Sequence, residues 1–172
     1  MNNQKKLLKV ILYPNEKLNK KCAEVNLEKD LPNIKKLVDL MFRTMNFFGG
    51  ISLSSPQIGV GFQAVVVDLK KDDFKPLTLI NPKIIDIDEE VIDLPETCLS
   101  FPMIKGYIKR FSIIKVEYFD YEGNKQLLEA KDQLSCCLQH EFDHINGINY
   151  IDRMSKTKRD IIFKKLKKRG RL

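Results

Sequence analysis

The chain contains two histidines, and both fall within Gln139-His140-Glu141-Phe142-Asp143-His144. On a helix, residues four apart share a face with Cβ atoms about 6 Å apart, so two imidazoles at this spacing can reach one metal ion. Glu141 sits one position beyond the first of them, where its carboxylate can meet a water on that metal as a general base. With only two histidines in the sequence, their landing at this spacing around a glutamate sets one demand on the fold: a helix over this segment, presented to something that completes the site.

Two imidazoles do not complete a catalytic centre, which generally takes three protein ligands and an open position. Peptidases with this motif draw the third from a downstream Glu or His, but no Glu and no further His follows His144. The remaining carboxylates, Asp152 and Asp160, match neither pattern, which weakens the ordinary zinc-peptidase reading. Of the four cysteines, Cys136 and Cys137 precede His140 on the same helix. At 1.5 Å rise per residue, Cys137 lies about 10 Å along the axis from His144, so both read as small packing or pocket residues. Cys22, in a lysine-rich stretch, reads as incidental. Cys98 lies in Pro95-Glu96-Thr97-Cys98-Leu99-Ser100-Phe101-Pro102, irregular backbone that can present a ligand to a helix. It is either a buried thiol or the missing ligand, and the incomplete pair of histidines tips the balance to ligand. A third segment, Gly50-Ile51-Ser52-Leu53-Ser54-Ser55-Pro56-Gln57, allows close approach of backbone to a ligand.

The 172 residues fit one domain, and no apolar run approaches a membrane span. The opening residues, with Leu7–Leu12 interrupted by Lys9, do not make a signal-peptide core. Adjacent Cys136 and Cys137 do not resemble a disulfide framework, so the expected location is the reducing cytoplasm. Thirty Lys and Arg against 23 Asp and Glu give a net charge of +7. Residues 156–172 hold nine basic residues and one acid, a net +8 that leaves the rest of the chain at −1. A general nucleic-acid-binding body is disfavoured, and the basicity is local to the tail.

Periodicity predicts an amphipathic helix over Asn33–Phe48, stopped by Gly49-Gly50. Strands are expected at Gln63–Leu69, Leu77–Ile87 and Tyr107–Phe119, with a turn at Asp120–Asn124 into Lys125–Ala130. Asp132 is the expected N-cap of the histidine helix, which ends before Gly147, and Thr157 the start of a basic helix closed by Gly170. Strands flanked by helices suggest an α+β fold.

Taken in order, the three segments resemble peptide deformylase, whose members carry G-x-G-L-A-A-x-Q, E-G-C-L-S and Q-H-E-x-D-H-L-x-G. Here these read Gly50–Gln57, Glu96–Ser100 and Gln139–Gly147. Leu8–Leu18, Ile80-Asn81-Pro82 and Gly147–Arg153 extend the likeness over nearly the whole chain. The resemblance implies a fold of antiparallel β-sheets packed around a central metal-binding helix, with a C-terminal helix at about 156–170. It implies removal of the formyl group from N-formyl-methionine of nascent chains, with release of formate, by a monomer. Cys98, His140 and His144 would be metal ligands and Glu141 the general base, then acid. The Gln57 side chain and the Leu99 backbone N–H would form the oxyanion hole. The implied metal is ferrous iron, with zinc as a substitute. Ile51, Leu94, Cys136 and Cys137 fall at positions matching the methionine pocket, and Gly50, Ile51 and Ser52 where substrate binds; plain core packing is the bland alternative for the pocket positions. Three places depart from the pattern: Ser52 replaces the second Gly, Ser54-Ser55 replaces Ala-Ala, and Thr97 replaces the Gly before Cys98. For the tail, the readings are a solvated helix packing Ile161, Ile162 and Leu166 on the body, docking on the ribosome, or non-specific attraction to anions. Two other functions stay open: a metallopeptidase with cysteine as third ligand, and an inactive ribosome-binding module.

Overall fold

Four consecutive apolar residues, Ala64–Val67, form a strand whose side chains alternate between two faces. Val65 and Val67 point into one core and Ala64 and Val66 into another, so all four are buried. Such a strand needs cover on both sides, and the fold supplies it with two helices. The structure, a computed structural model, describes residues 7–168 and Gly170. Positions 1–6, 169, 171 and 172, which include the opening lysines and part of the basic tail, lie outside the described residues.

The first helix, α1, runs Leu27–Phe47. It begins six residues before the periodic signal at Asn33, because Asn26 caps it by accepting from the Lys29 backbone N–H and Glu28 and Asp30 occupy the first turn. Pro32 is absorbed inside it. Beyond Gly49, whose φ of 69° ends the helix, come β1 (Ser52–Ser54), a 3-10 turn (Ser55–Ile58), β2 (Ala64–Val67) and β3 (Leu77–Ile87). Then follow β4 (Val91–Thr97), β5 (Lys105–Phe111), β6 (Ile113–Phe119), β7 (Lys125–Lys131), α2 (Asp132–Ile145) and α3 (Lys156–Lys168). Strands β1-β2-β3-β6-β7 make one antiparallel sheet in that order, and β4 pairs with β5 in a second.

Helix α1 packs Ile34, Val38, Met41 and Met45 on one face of the large sheet. Helix α2 covers the other face with Cys137, Leu138, Phe142 and Ile145. Every residue of α2 from Ser135 to Ile145 is buried, so the histidine helix is the expected central element. A third core joins Cys98, Phe101, Ile108 and Tyr150 to Ile162 and Leu166 of α3.

Four local expectations are corrected. The stretch Tyr107–Phe119 is two strands, split where the Ser112 backbone bonds Glu90 and Asp132 instead of a neighbouring strand. Pro95 lies inside β4 rather than in irregular backbone; β4 pairs with β5 alone and has a free edge, the kind of strand in which proline is tolerated. Asp132 is the first residue of α2, with φ 49°, and no side chain caps that end. Ser155, not Thr157, precedes α3 and accepts from the Lys158 N–H. Cys22 is also no bystander: it is buried in the core under α2, and its N–H donates to the Ile145 carbonyl. Along α3, Ile162 and Leu166 face inward as expected while Ile161 is half exposed.

Candidate metal centre

His140 and His144 stand one turn apart on α2 with ring centroids 4.9 Å apart. Strand β4 ends at Thr97 and delivers Cys98 to them, with Sγ 3.2 Å from His144 Nε2. The loop after it is anchored by Phe101, which stacks on Tyr13 and meets Tyr150 edge-on. One donor atom from each of Cys98, His140 and His144 lies within 4.8 Å of the others, and all three residues are buried.

Around these donors the polar groups are paired with a clear direction. Glu96 Oε2 is 2.7 Å from His140 Nδ1, which assigns the Nδ1 side of that ring to the carboxylate and leaves Nε2 for other use. Arg110, reaching inward from β5, donates to both oxygens of Glu96 at 2.7 and 3.1 Å and to Asp143 Oδ2 at 2.6 Å. Arg153 pairs with Asp143 from the other side. Burial disfavours the Glu96 carboxylate, but its bonds to His140 and Arg110 outweigh that and lower its pKa. Burial likewise opposes the His140 cation, and the Cys98 and Glu96 contacts outweigh it and raise its pKa. His144 goes the other way: burial, then the charges of His140 and Arg110, hold it neutral. Its Nδ1 has no hydrogen-bond partner among the described residues.

Glu141 is buried beside this cluster, and burial raises its pKa. Its Oε1 accepts from the Ser52 hydroxyl at 2.6 Å, while Oε2 is unpartnered among the described residues. The Gln57 carboxamide is held in one orientation, since its oxygen accepts from the Ser54 N–H at 2.8 Å and the Ser54 hydroxyl at 3.0 Å. Its Nε2 therefore points to the centre, 3.3 Å from Cys98 Sγ and 3.4 Å from Ser100 Oγ. A thiol and two imidazoles form a donor set suited to a divalent transition metal with an open position, and the Gln57 amide N–H and the unpaired oxygen of Glu141 stand beside it.

A cavity of about 760 Å³ opens onto the centre, lined by Gly50, Ile51, Ser52, Gln57, Cys98, Leu99, His140 and Glu141. Its rim is apolar, with Phe48 and the 84 % exposed Met103. A smaller cavity of about 120 Å³ adjoins it, and here Leu94, Cys136 and Cys137 meet Ile51, Ser52 and His140. Ile51, Leu94, Cys136 and Cys137, the residues expected for the methionine pocket, thus line one space, while Gly50 lines only the larger one. Burial pushes the Cys136 thiol up to about 11 and raises Cys137 further, so both remain neutral lining.

A family model for polypeptide deformylase matches residues 7–160. The chain belongs to that family. It is 41 % identical over 167 residues to the peptide deformylase of Brachyspira hyodysenteriae, covering 94 % of this chain and 88 % of the relative. It is 40 % identical over 166 residues to that of Nitrosococcus oceani, covering 96 % and 98 %. The crystal structure of the Ehrlichia chaffeensis deformylase in complex with actinonin superposes with a TM-score of 0.86 at 38 % identity, over 96 % of this chain and 99 % of that one. Family membership makes this chain a hydrolase of protein biosynthesis that deformylates peptides. No helix among the described residues is long and apolar enough to cross a membrane.

Neither departure from the family's glycines strains the backbone. Ser52 and Thr97 are absent from the residues with positive φ, and both take ordinary strand positions. The residues that sequence reading missed are Arg110, Asp143 and Arg153. The one signal for Arg110 is the alternation of β5, in which Gly106, Ile108 and Arg110 share the inward face.

Proposed function

We propose that Cys98, His140 and His144 hold a divalent metal, ferrous iron by family likeness with zinc as a substitute, and that the site hydrolyses the N-terminal formyl group of formyl-methionyl chains. The observation that carries this is the set of three buried donors within 4.8 Å beside a buried carboxylate with an unpaired oxygen. When bound, the metal supplies Lewis-acid polarisation of the formyl oxygen and acidifies the attacking water. Glu141 takes the proton from that water and returns it to the leaving amine, which then departs from formate. The Gln57 Nε2 donor and the Leu99 backbone N–H receive the developing oxyanion, and the fixed orientation of Gln57 means no dipole must turn during the reaction. The methionine side chain enters the smaller cavity against Cys136 and Cys137, with Leu94 and Ile51 as walls, and the following residues run along Gly50 and Ser52. A thiolate ligand to iron makes the centre sensitive to oxygen.

The test is formate release from an N-formyl-methionyl peptide by protein purified anaerobically with ferrous iron. Release is expected in the parent, and loss of both bound metal and activity in Cys98→Ala. A Cys98→Ala variant that keeps its metal and its rate removes Cys98 from the ligand set. Release of amino acids from unformylated peptides would instead favour a peptidase.

The chain acts in this reading as a single unit in the cytoplasm, where nascent chains emerge. The exposed lysines of α3 dock it on ribosomal RNA, and a charge reversal is a better test than truncation because Ile162 and Leu166 are buried. Lys164→Glu, Lys165→Glu and Lys168→Glu together are expected to abolish low-salt co-sedimentation with ribosomes and to leave peptide deformylation intact. Unchanged co-sedimentation overturns the docking role.

A further inference from the structure

Strand β1 has three residues, and alternation sends its side chains to two sides of the large sheet. Leu53, fully buried, goes to the α1 core. Ser52 and Ser54 go to the α2 side, where Ser52 makes the short bond to Glu141, and Ser54 bonds Gln57 and also lies within reach of the Glu141 carboxylate. At position 52 the family pattern has glycine, which offers no side-chain donor, whereas this chain places a hydroxyl 2.6 Å from a carboxylate oxygen. That oxygen belongs to a residue only 2 % exposed, so the bond is made in a largely desolvated part of the cavity wall. Serine is not there to supply an unusual backbone conformation, because its φ is not positive.

We propose that Ser52 is a positioning residue for deformylation: its hydroxyl holds Glu141 Oε1 and so fixes the plane of the carboxylate, leaving Oε2 as the oxygen that handles the proton. The role rests on the proposed part of Glu141 in the reaction. A carboxylate held at neither oxygen can rotate about its last torsion, and only a fraction of its orientations puts a lone pair on the reacting water. Holding one oxygen restricts that rotation and leaves the other without a competing partner, in accord with the unpaired state of Oε2. The serine backbone remains available along the cavity wall, so the hydroxyl acts on turnover rather than on peptide binding.

The experiment is steady-state kinetics on an N-formyl-methionyl peptide with iron-loaded Ser52→Ala, Ser52→Gly and Ser52→Thr, each also made in a Glu141→Gln background, with bound metal measured in all. Partners of this kind typically matter by roughly 10- to 100-fold. The expected result is a fall in kcat of about tenfold or more in the Ala and Gly variants, with KM and metal content within about twofold of the parent. Ser52→Thr keeps the hydroxyl and restores most of kcat, and in the Glu141→Gln background Ser52→Ala adds no further loss. An unchanged kcat, a rise in KM alone, loss of metal in Ser52→Ala, or a Thr variant no better than Ala overturns the positioning role. If Glu141→Gln by itself keeps the parent rate, the proposed chemistry of Glu141 falls, and the role of Ser52 falls with it.

Discussion

Replacing Glu141 with alanine is expected to slow formate release by roughly 10²- to 10⁴-fold while the protein keeps its metal. Glu141 is not among the three clustered donors, so its removal leaves the thiol and both imidazoles in place. What disappears is the buried carboxylate, whose pKa burial raises, and with it the proposed acceptor and donor of the proton. The neighbouring polar groups cannot take over that task. Gln57 Nε2 is a donor only, and the neutral Ser52 hydroxyl is far too weak a base to take a proton from water. Parallel measurement of bound metal and of formate release separates the outcomes. A variant with full metal and a rate within a few-fold of the parent removes Glu141 from the chemistry, and one that loses its metal makes it a ligand instead.

Arg110→Met is expected to cost about 3–5 kcal/mol of stability, because it strips the shared partner from two buried carboxylates rather than trimming a surface ion pair. Arg110 is 3 % exposed and bridges Glu96 to Asp143. Without it Asp143 keeps Arg153, but among the described residues Glu96 keeps only His140. For a chain of this length that cost lowers the melting temperature by roughly 6–20 °C. The pH dependence gives a second signature. The folded-state pKa of Glu96 lies below its ordinary value, so its contribution is fully present above the unfolded-state pKa and is lost as pH falls through the folded value. In Arg110→Met that depression shrinks, and stability should fall less steeply from neutral pH into the acid carboxylate range. Urea unfolding at several pH values reads both effects. A variant as stable as the parent, with the same acid slope, would show that the network contributes nothing net to folding.

The elements that sequence reading located best are those whose signals are local. Gly49-Gly50 ends α1, the Asp120–Asn124 turn joins β6 to β7, and α2 stops before Gly147. The histidine pair needed a helix, and α2 supplies one with its rings 4.9 Å apart. The break at Ser112 left no trace, since Phe111-Ser112-Ile113 contains no glycine or proline and is interrupted by backbone bonds to Glu90 and Asp132, residues remote in sequence. Arg110 was illegible for a related reason. An arginine between a lysine and a phenylalanine reads as exposed, and only the convergence of Glu96 and Asp143 makes its burial tolerable. Cys22 looked incidental amid lysines, yet the backbone bond to Ile145 draws it under α2. For the site itself, the spacing of His140 and His144 on one helix face and the placing of Glu141 beside them were readable from residues alone. The parts assigned to Gln57, Leu99 and the methionine pocket came by resemblance, because a single chain carries no local mark of a group that acts only once folded.

The third core has a consequence for how the molecule is made. Cys98 sits there with Phe101 and Tyr150, and the cover over them includes Ile162 and Leu166 of α3. Synthesis runs from the N-terminus, and α3 is the last described helix to leave the exit tunnel. While it is still inside, the third core lacks the part of its packing that Ile162 and Leu166 supply. Burial of this core is therefore completed last, when α3 packs Ile162 and Leu166 onto it.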